Sequence, residues 1–357
     1  MKWVPDEVEK IPHEPFSLNF VYGPCQVGKT TMVKILIHRL LEKVEPRAVF
    51  YYSCDELSNY KELGEIIDDY LKAKTAAGVK ISYIFLDEVT FVEDWWRAVK
   101  ARVDDGSLST SVVTVTGSVD IELLRQRELF PGRRGKRRDV KMLPLSFGSY
   151  VSKIYGVETA KLTHLQEAVS KIEANRIYQQ SIADIFDDYL QTGGFPPAIK
   201  EKHMHGRAGI ESVRVFLDGF RSDLLRVGKS ETSMKEVVAY LLNAKAAPVS
   251  WMSIAKATSI ASPNTVRSYV EALENMMTVV VLKFIDPSGK IHKRKNRKIH
   301  FIDPFVYRCL ADFCRVELDS ATMVEGVVAS HLARQHDVFY WRNGGEVDCL
   351  VKHGENM

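Results

Sequence analysis

The sequence predicts an α/β fold built on a parallel sheet, with a mostly helical region and a smaller mixed segment after it. Three observations carry that prediction. Short apolar runs alternate with amphipathic helical stretches through the first 150 residues, the pattern of right-handed βαβ units. The first run opens into Gly23-Pro24-Cys25-Gln26-Val27-Gly28-Lys29-Thr30. The third ends on the carboxylate pair Asp87-Glu88. The 357 residues suffice for about two or three domains. With 45% hydrophobic and 27% charged residues, a disordered chain, a collagen-like rod and a disulfide miniprotein are excluded.

Residues 18–22 (LNFVY) read as a buried strand running into glycine. A helix is expected from Lys29 to about Lys43, with Met32, Val33, Leu36, Ile37, Leu40 and Leu41 at helical spacing. Strands are expected at 48–53, 81–86, 112–117 and 140–145, and helices at 61–73 and Glu93–Val103. The 81–86 run (ISYIFL) is apolar throughout, as a strand covered on both faces should be. Residues 146–230 read as helical, broken by the turn Gly193-Gly194-Phe195-Pro196-Pro197. From 233 to about 276 three short helices follow. The third starts at Ser262-Pro263, an N-cap residue before a proline suited to the first helical position. Two strand-like runs, 278–284 and 298–302, then bracket a basic loop. Three helices and a basic hairpin predict a winged helix-turn-helix, whose third helix reads a groove while the wing contacts phosphates. A small helical domain for protein contacts fits the same pattern.

Net charge is only +3, but its distribution is uneven. Arg133–Lys141 holds six basic residues and one acid, and Lys290–Lys298 holds six and none. Outside those two segments the chain carries a formal charge of −8. Such focusing is the electrostatic footprint of a phosphate-binding surface, although solvated loops give it too. Cys25, Cys54, Cys309, Cys314 and Cys349 lack paired C-x-x-C spacing. They read as reduced thiols of a cytoplasmic protein rather than a disulfide frame or zinc site. No run approaches the roughly 18 apolar residues that span a bilayer, and MKWVPDEVEK is too acidic for a signal peptide. No membrane partner is expected.

The chemistry follows from the first and third strands. G-x-x-x-x-G-K-[ST] between a strand and a helix is a phosphate loop. Its backbone N–H groups and the helix dipole cradle phosphates that bulky side chains would block. Gly23, Pro24, Cys25, Gln26, Val27, Gly28, Lys29, Thr30 and Thr31 are the expected nucleotide contacts. Lys29 would reach the β- and γ-phosphates and Thr30 would offer its hydroxyl to Mg²⁺. Asp87 would hold Mg²⁺ and Glu88 would act as general base on water. Thr116 or Ser118, at the end of strand 112–117, could bond the γ-phosphate or the water. An ordinary strand-end turn is the alternative. One of Arg133, Arg134, Arg137 and Arg138 could act as an arginine finger, with Arg133 as the candidate and the other three as alternatives.

In order along the chain stand GPCQVGKTT, FLDEV, VTVTGS, LFPGRRG…MLPLSFGSY and DYLQTGGFPPAI. This series resembles archaeal and bacterial AAA-type, STAND-related P-loop ATPases with a winged helix and a degenerate PD-(D/E)XK nuclease-like domain. The resemblance covers essentially the whole chain. It implies ATP and Mg²⁺ as cofactors, and it places the GRRG arginines near the nucleotide. Many relatives carry Arg where this chain has Cys25. Glu325 and Asp348 match acidic positions of the nuclease-like domain, but the following E-x-K element is not found. No nuclease activity is expected, and the two acids read as structural. The expected organisation is an ATPase core (1–150), a helical lid (151–230), a winged helix (231–302) and a partial nuclease-like α/β domain (303–357). The resemblance implies Mg²⁺-dependent ATP hydrolysis, and the concentrated basic charge suggests that it is coupled to duplex or branched DNA. The DNA contacts would be Arg267, Lys290, Lys293, Arg294, Lys295, Arg297 and Lys298. The alternative is a nucleotide switch that forms a homo-oligomer or binds a protein partner.

Overall fold

The computed structural model describes residues 3–118, 135, 136, 138–158, 167–206 and 209–352. The chain forms two compact units, Lys2–Leu143 and Pro144–Met357, so the division falls a few residues before the expected 150. Among the described residues no helix is long and apolar enough to cross a membrane.

The first unit is an α/β layer structure. β1 (Ser17–Tyr22), β2 (Val49–Ser53), β3 (Ser82–Asp87), β4 (Ser111–Gly117) and β5 (Asp139–Lys141) form one sheet in the order β2-β3-β4-β1-β5. Every pairing is parallel. The four longer strands lie where the apolar runs predict them. β5 is shorter than the expected 140–145. α1 (Lys29–Leu41), α2 (Tyr60–Ala76) and α3 (Trp95–Asp104) are the crossovers. β3 and β4 are buried along their whole length, because helices cover both faces of a parallel sheet. On one face Leu18, Phe20, Ile84, Leu86, Val113 and Val115 pack with Leu63 and Ile67 of α2 and Trp95 and Val99 of α3. Phe20 and Trp95 meet edge to face, centroids 5.9 Å apart, a favoured aromatic geometry. Because all strands run one way, the turn after β1 and the carboxylates ending β3 emerge on the same edge of the sheet. Ligands of such sheets bind at that carboxyl edge.

The second unit contains the helices Phe147–Tyr155, Gln179–Thr192, Pro196–His205 and Ile210–Arg226. The three shorter helices Glu231–Asn243, Trp251–Ala257 and Pro263–Asn275 come next, then the antiparallel pair β6 (Val279–Phe284) and β7 (Arg297–Phe301). Val266, Val270 and Leu273 form the inward stripe of the third short helix, as its spacing predicts. Helices Pro304–Cys314 and Ser320–Leu332 precede β8 (Val338–Arg342) and β9 (Glu346–Val351). β6 pairs in parallel with β8, giving a four-stranded sheet in the order β7-β6-β8-β9. The boundary expected at residue 302 therefore runs through a single sheet.

The predicted turn at Gly193-Gly194 has a partner far along the chain. Asp303 caps helix Pro304–Cys314, its Oδ1 accepting the Phe305 N–H at 2.9 Å. Its Oδ2 accepts the Gly194 N–H at 2.9 Å and the Tyr189 hydroxyl at 3.4 Å. Gly193 has φ +54°, and a Cβ there would lie 1.6 Å from Asp303 Oδ1. Only glycine fits. Burial is complete enough to push the Asp303 carboxyl up to about 7, despite the two backbone donors.

Two outcomes follow for stability. Gly193→Ala should destabilise the fold by about 2–4 kcal/mol, from strain and a displaced cap, read as a lower unfolding midpoint in urea. Folded Asp303 keeps its proton up to about pH 7, whereas the unfolded carboxyl loses it near pH 4. The contribution of this group is thus present below about pH 4 and lost as pH rises through 7. Unfolding free energy should fall by on the order of 2 kcal/mol between pH 5 and pH 8 on this account, and Asp303→Asn should flatten that slope.

Candidate nucleotide site

The site is built from two strand ends and the turn after β1. Gly23 sits so close to the chain at β5 that a Cβ would lie 2.0 Å from the Met142 carbonyl oxygen, so no larger residue starts this turn. Gln26 (φ 64°) and Gly28 (φ 98°) are left-handed, which turns the chain into α1. Lys29, only 4% exposed, folds back over the loop. Its Nζ donates to the carbonyls of Gly23 (3.1 Å) and Pro24 (3.2 Å), and lies 3.7 Å from Glu88 Oε1. A buried ammonium needs such partners.

Asp87 ends β3 and is 2% exposed. Thr116, on neighbouring β4, donates its hydroxyl to Asp87 Oδ1. The same Thr116 oxygen accepts the Glu88 N–H at 2.9 Å. The Tyr51 hydroxyl, from β2 on the other side, donates to Asp87 Oδ2 at 3.0 Å. Glu88 is left-handed (φ 53°). This carries its carboxylate off the strand line toward Lys29, and its Oε2 is buried without a hydrogen-bond partner. The Oε1 of Gln26, in the loop, is likewise buried and unpaired. Buried polar atoms left open in this way are rare, and here two of them belong to the expected site.

The residues fit the cofactors they predict. A cradle floored by Gly23 and closed by a lysine suits phosphate. A hydroxyl at Thr30 and a carboxylate at Asp87 form the sparse oxygen set that Mg²⁺ takes when phosphates and waters complete its shell. Among the described residues no three or more His, Cys, Asp or Glu are grouped to hold a metal by themselves.

The structure brings Lys29, Asp87, Glu88 and Thr116 together. Ser118, just past β4, is buried. Arg133, the expected finger, lies outside the described residues with Arg134 and Arg137. Arg138 is described, and its backbone N–H donates to Asn19 Oδ1. Sequence reading missed Tyr51. Strand alternation places it on the Asp87 face of the sheet, but its contact depends on β2–β3 register.

The second basic segment divides. Lys290, Lys293, Arg294 and Lys295 are exposed on the loop between β6 and β7. Asp286 shapes that loop by accepting from Ser288 and Lys290 N–H groups, and it pairs with His292 at 2.7 Å. The His292 bond, above all, holds the Asp286 carboxyl below its usual range. The Arg297 guanidinium donates to the carbonyls of Lys293, Lys295 and Asn296 and so serves the loop's own shape. Arg267 is exposed and paired with Glu271 at 2.8 Å.

Lys298 corrects the expectation of a wing phosphate contact. It is 2% exposed and donates to Glu325 Oε1 (2.9 Å), to Asp348 Oδ1 and, at 2.8 Å, pairs with Glu346. Burial works against its charge, but the bonds to Asp348, Glu346 and Glu325 outweigh that and hold its pKa above the ordinary lysine value. Glu325 and Asp348 do converge, around an ammonium from β7. His300, two residues on, is buried beside them with Nε2 3.6 Å from Glu325 Oε1, and burial lowers its pKa to about 4.

A five-stranded parallel sheet with the Gly23–Thr30 loop on its carboxyl edge is an α/β fold of the P-loop type. Residues 16–151 match the AAA domain family, and residues 183–316 match a domain of unknown function (DUF8612). An uncharacterized protein of Methanocaldococcus jannaschii is 26% identical over 92% of this chain and 70% of its own length. An uncharacterized Haemophilus influenzae protein is 26% identical over 62% of this chain and half of its own length. Among solved structures, the Aeropyrum pernix ORC2 protein (ADPNP–ADP complexes) is similar at TM-score 0.44 and 12% identity, over 84% of this chain and 88% of that one. The Thermotoga maritima RuvB Holliday junction branch migration motor is similar at TM-score 0.32 and 13% identity, over 88% and 91%.

Replacing Lys298 by Met should destabilise the chain by about 2–4 kcal/mol, because three carboxylates lose their counter-ion. The loss should be smaller at pH 5 than at pH 8, since Glu325 is already pushed above its usual pKa by burial. Chemical unfolding at the two pH values checks this.

Proposed function

We propose that the chain binds Mg²⁺-ATP in the loop Gly23–Thr30 and hydrolyses it. The observation that carries this reading is Lys29, buried over the backbone cradle and 3.7 Å from a Glu88 carboxylate with an unpaired oxygen. Its two bonds to Gly23 and Pro24 carbonyls are bonds to neutral acceptors. Exchanging them for anionic phosphate oxygens makes both partners charged and the bonds stronger, so a triphosphate would draw Lys29 off the loop and away from Glu88. Glu88 is then left to accept a proton from, or align, the attacking water. Thr116 links the Asp87 carboxylate to the Glu88 backbone through a single hydroxyl. Thr30 and Asp87 are the residues that would hold Mg²⁺, whose chemistry when bound is to neutralise charge on the phosphate oxygens. Ser118 and Arg133 complete the proposal from sequence, as a hydrogen-bond donor and a finger.

Coupling to DNA is the second part of the proposal. Helices Glu231–Asn243, Trp251–Ala257 and Pro263–Asn275 with the β6–β7 hairpin fit a winged helix. Lys290, Lys293, Arg294 and Lys295 would touch phosphates from the wing, and Arg267 would do so from the third helix. Arg297 supports the loop they stand on. A switch that binds a protein or a second copy is favoured by a different feature. Helix Ala168–Asn175 buries no residue, and Val169, Ile172 and Ile177 expose 74%, 69% and 83% of their surface.

Lys29→Ala should cost at least about tenfold in nucleotide affinity. Glu88→Gln should retain binding and lose about 10²-fold or more in turnover, and equal rates in the two proteins would contradict the assignment. For DNA, log affinity should fall with log salt by about 0.9 per phosphate contacted. Changing Lys290, Lys293, Arg294 and Lys295 together to Ala should reduce that slope by about 3.6. Salt-insensitive binding would favour the protein-contact reading.

A further inference from the structure

The Tyr51 hydroxyl belongs to neither the loop motif nor the carboxylate pair, yet it reaches the site from a third strand. β2 and β3 run parallel, with Tyr51 opposite Phe85 and Ser53 opposite Asp87. Side chains alternate along strands. Phe50 and Tyr52 turn into the core with Ile84 and Leu86, which leaves Tyr51 on the face that carries Phe85 and Asp87. From there it reaches diagonally across the strand pair to Asp87 Oδ2 at 3.0 Å, while Thr116 takes Oδ1 from the opposite side. The carboxylate is thus clamped at both oxygens by strands on either side.

We propose that Tyr51 is a positioning residue that fixes the plane of the Asp87 carboxylate, so that Asp87 meets the hydrated divalent cation of the nucleotide in one orientation. The proposal rests on the ATPase reading above. Thr116 alone leaves the carboxylate free to turn about its bond to Cβ, and a cation held through water is sensitive to that angle. A phenylalanine would fill the same space without the bond, so the sheet has no packing need for the hydroxyl.

The test compares the full chain with its Tyr51→Phe variant. Binding of a fluorescent ATP analogue is measured in EDTA and across a Mg²⁺ titration, beside turnover at each Mg²⁺ concentration. Affinity in EDTA should agree within about twofold, since the loop is untouched. The Mg²⁺ concentration giving half of the metal-dependent gain should rise about 5–10-fold in Tyr51→Phe, the scale of one hydrogen bond to a charged group. Saturating Mg²⁺ should return kcat to within about threefold of wild type. An unshifted Mg²⁺ midpoint, or a loss that saturating Mg²⁺ does not restore, overturns the proposal while the ATPase reading stands. A wild-type chain with no Mg²⁺-dependent gain overturns both.

Discussion

The candidate chemistry depends on one hydroxyl at the end of a strand that lies between two others. β4 separates β1, which feeds the phosphate loop, from β3, which ends in Asp87-Glu88. Thr116 on β4 donates to Asp87 and accepts from the Glu88 N–H. A hydroxyl can do both at once, and that dual role ties the expected metal-holding residue to the expected water-aligning one. Lys29 closes the arrangement from the β1 side. If the strand order differed, these groups would sit at separate points of the sheet edge.

Much of this was legible in the sequence because the physics is local. A strand covered on both faces is expected to be apolar along its length, and the run that becomes β3 reads that way. A loop that cradles phosphate needs glycine where the backbone closes on Met142 and where φ is positive, and the spacing of Gly23 and Gly28 records both needs. Asp87-Glu88 were readable because two carboxylates at the end of a buried strand require a cation, and Lys29 is within reach.

What was not legible depends on pairings between distant segments. Tyr51 looks like any strand aromatic until the β2–β3 register sets it beside Asp87. Lys298 sits in a run of six basic residues, and the run has the same appearance whether a lysine faces solvent or a carboxylate. Its partners lie 27 residues away at Glu325 and 50 at Asp348. Asp303 is a comparable case: besides capping helix Pro304–Cys314, it is the buried acceptor whose Oδ1 leaves no room for a Cβ at Gly193. A charge run therefore locates a basic surface only roughly. β7 takes Lys298 inward, Arg297 folds back on the loop, and four of the six cations remain outward.

The central claim is that Lys29 exchanges the Gly23 and Pro24 carbonyls for phosphate oxygens while the loop amides close on the nucleotide. Amide hydrogen exchange over residues 23–32 with and without Mg²⁺-ATP tests this most directly. The account predicts marked slowing confined to that loop and the first turn of α1. Nucleotide binding that leaves exchange in this segment unchanged would contradict it.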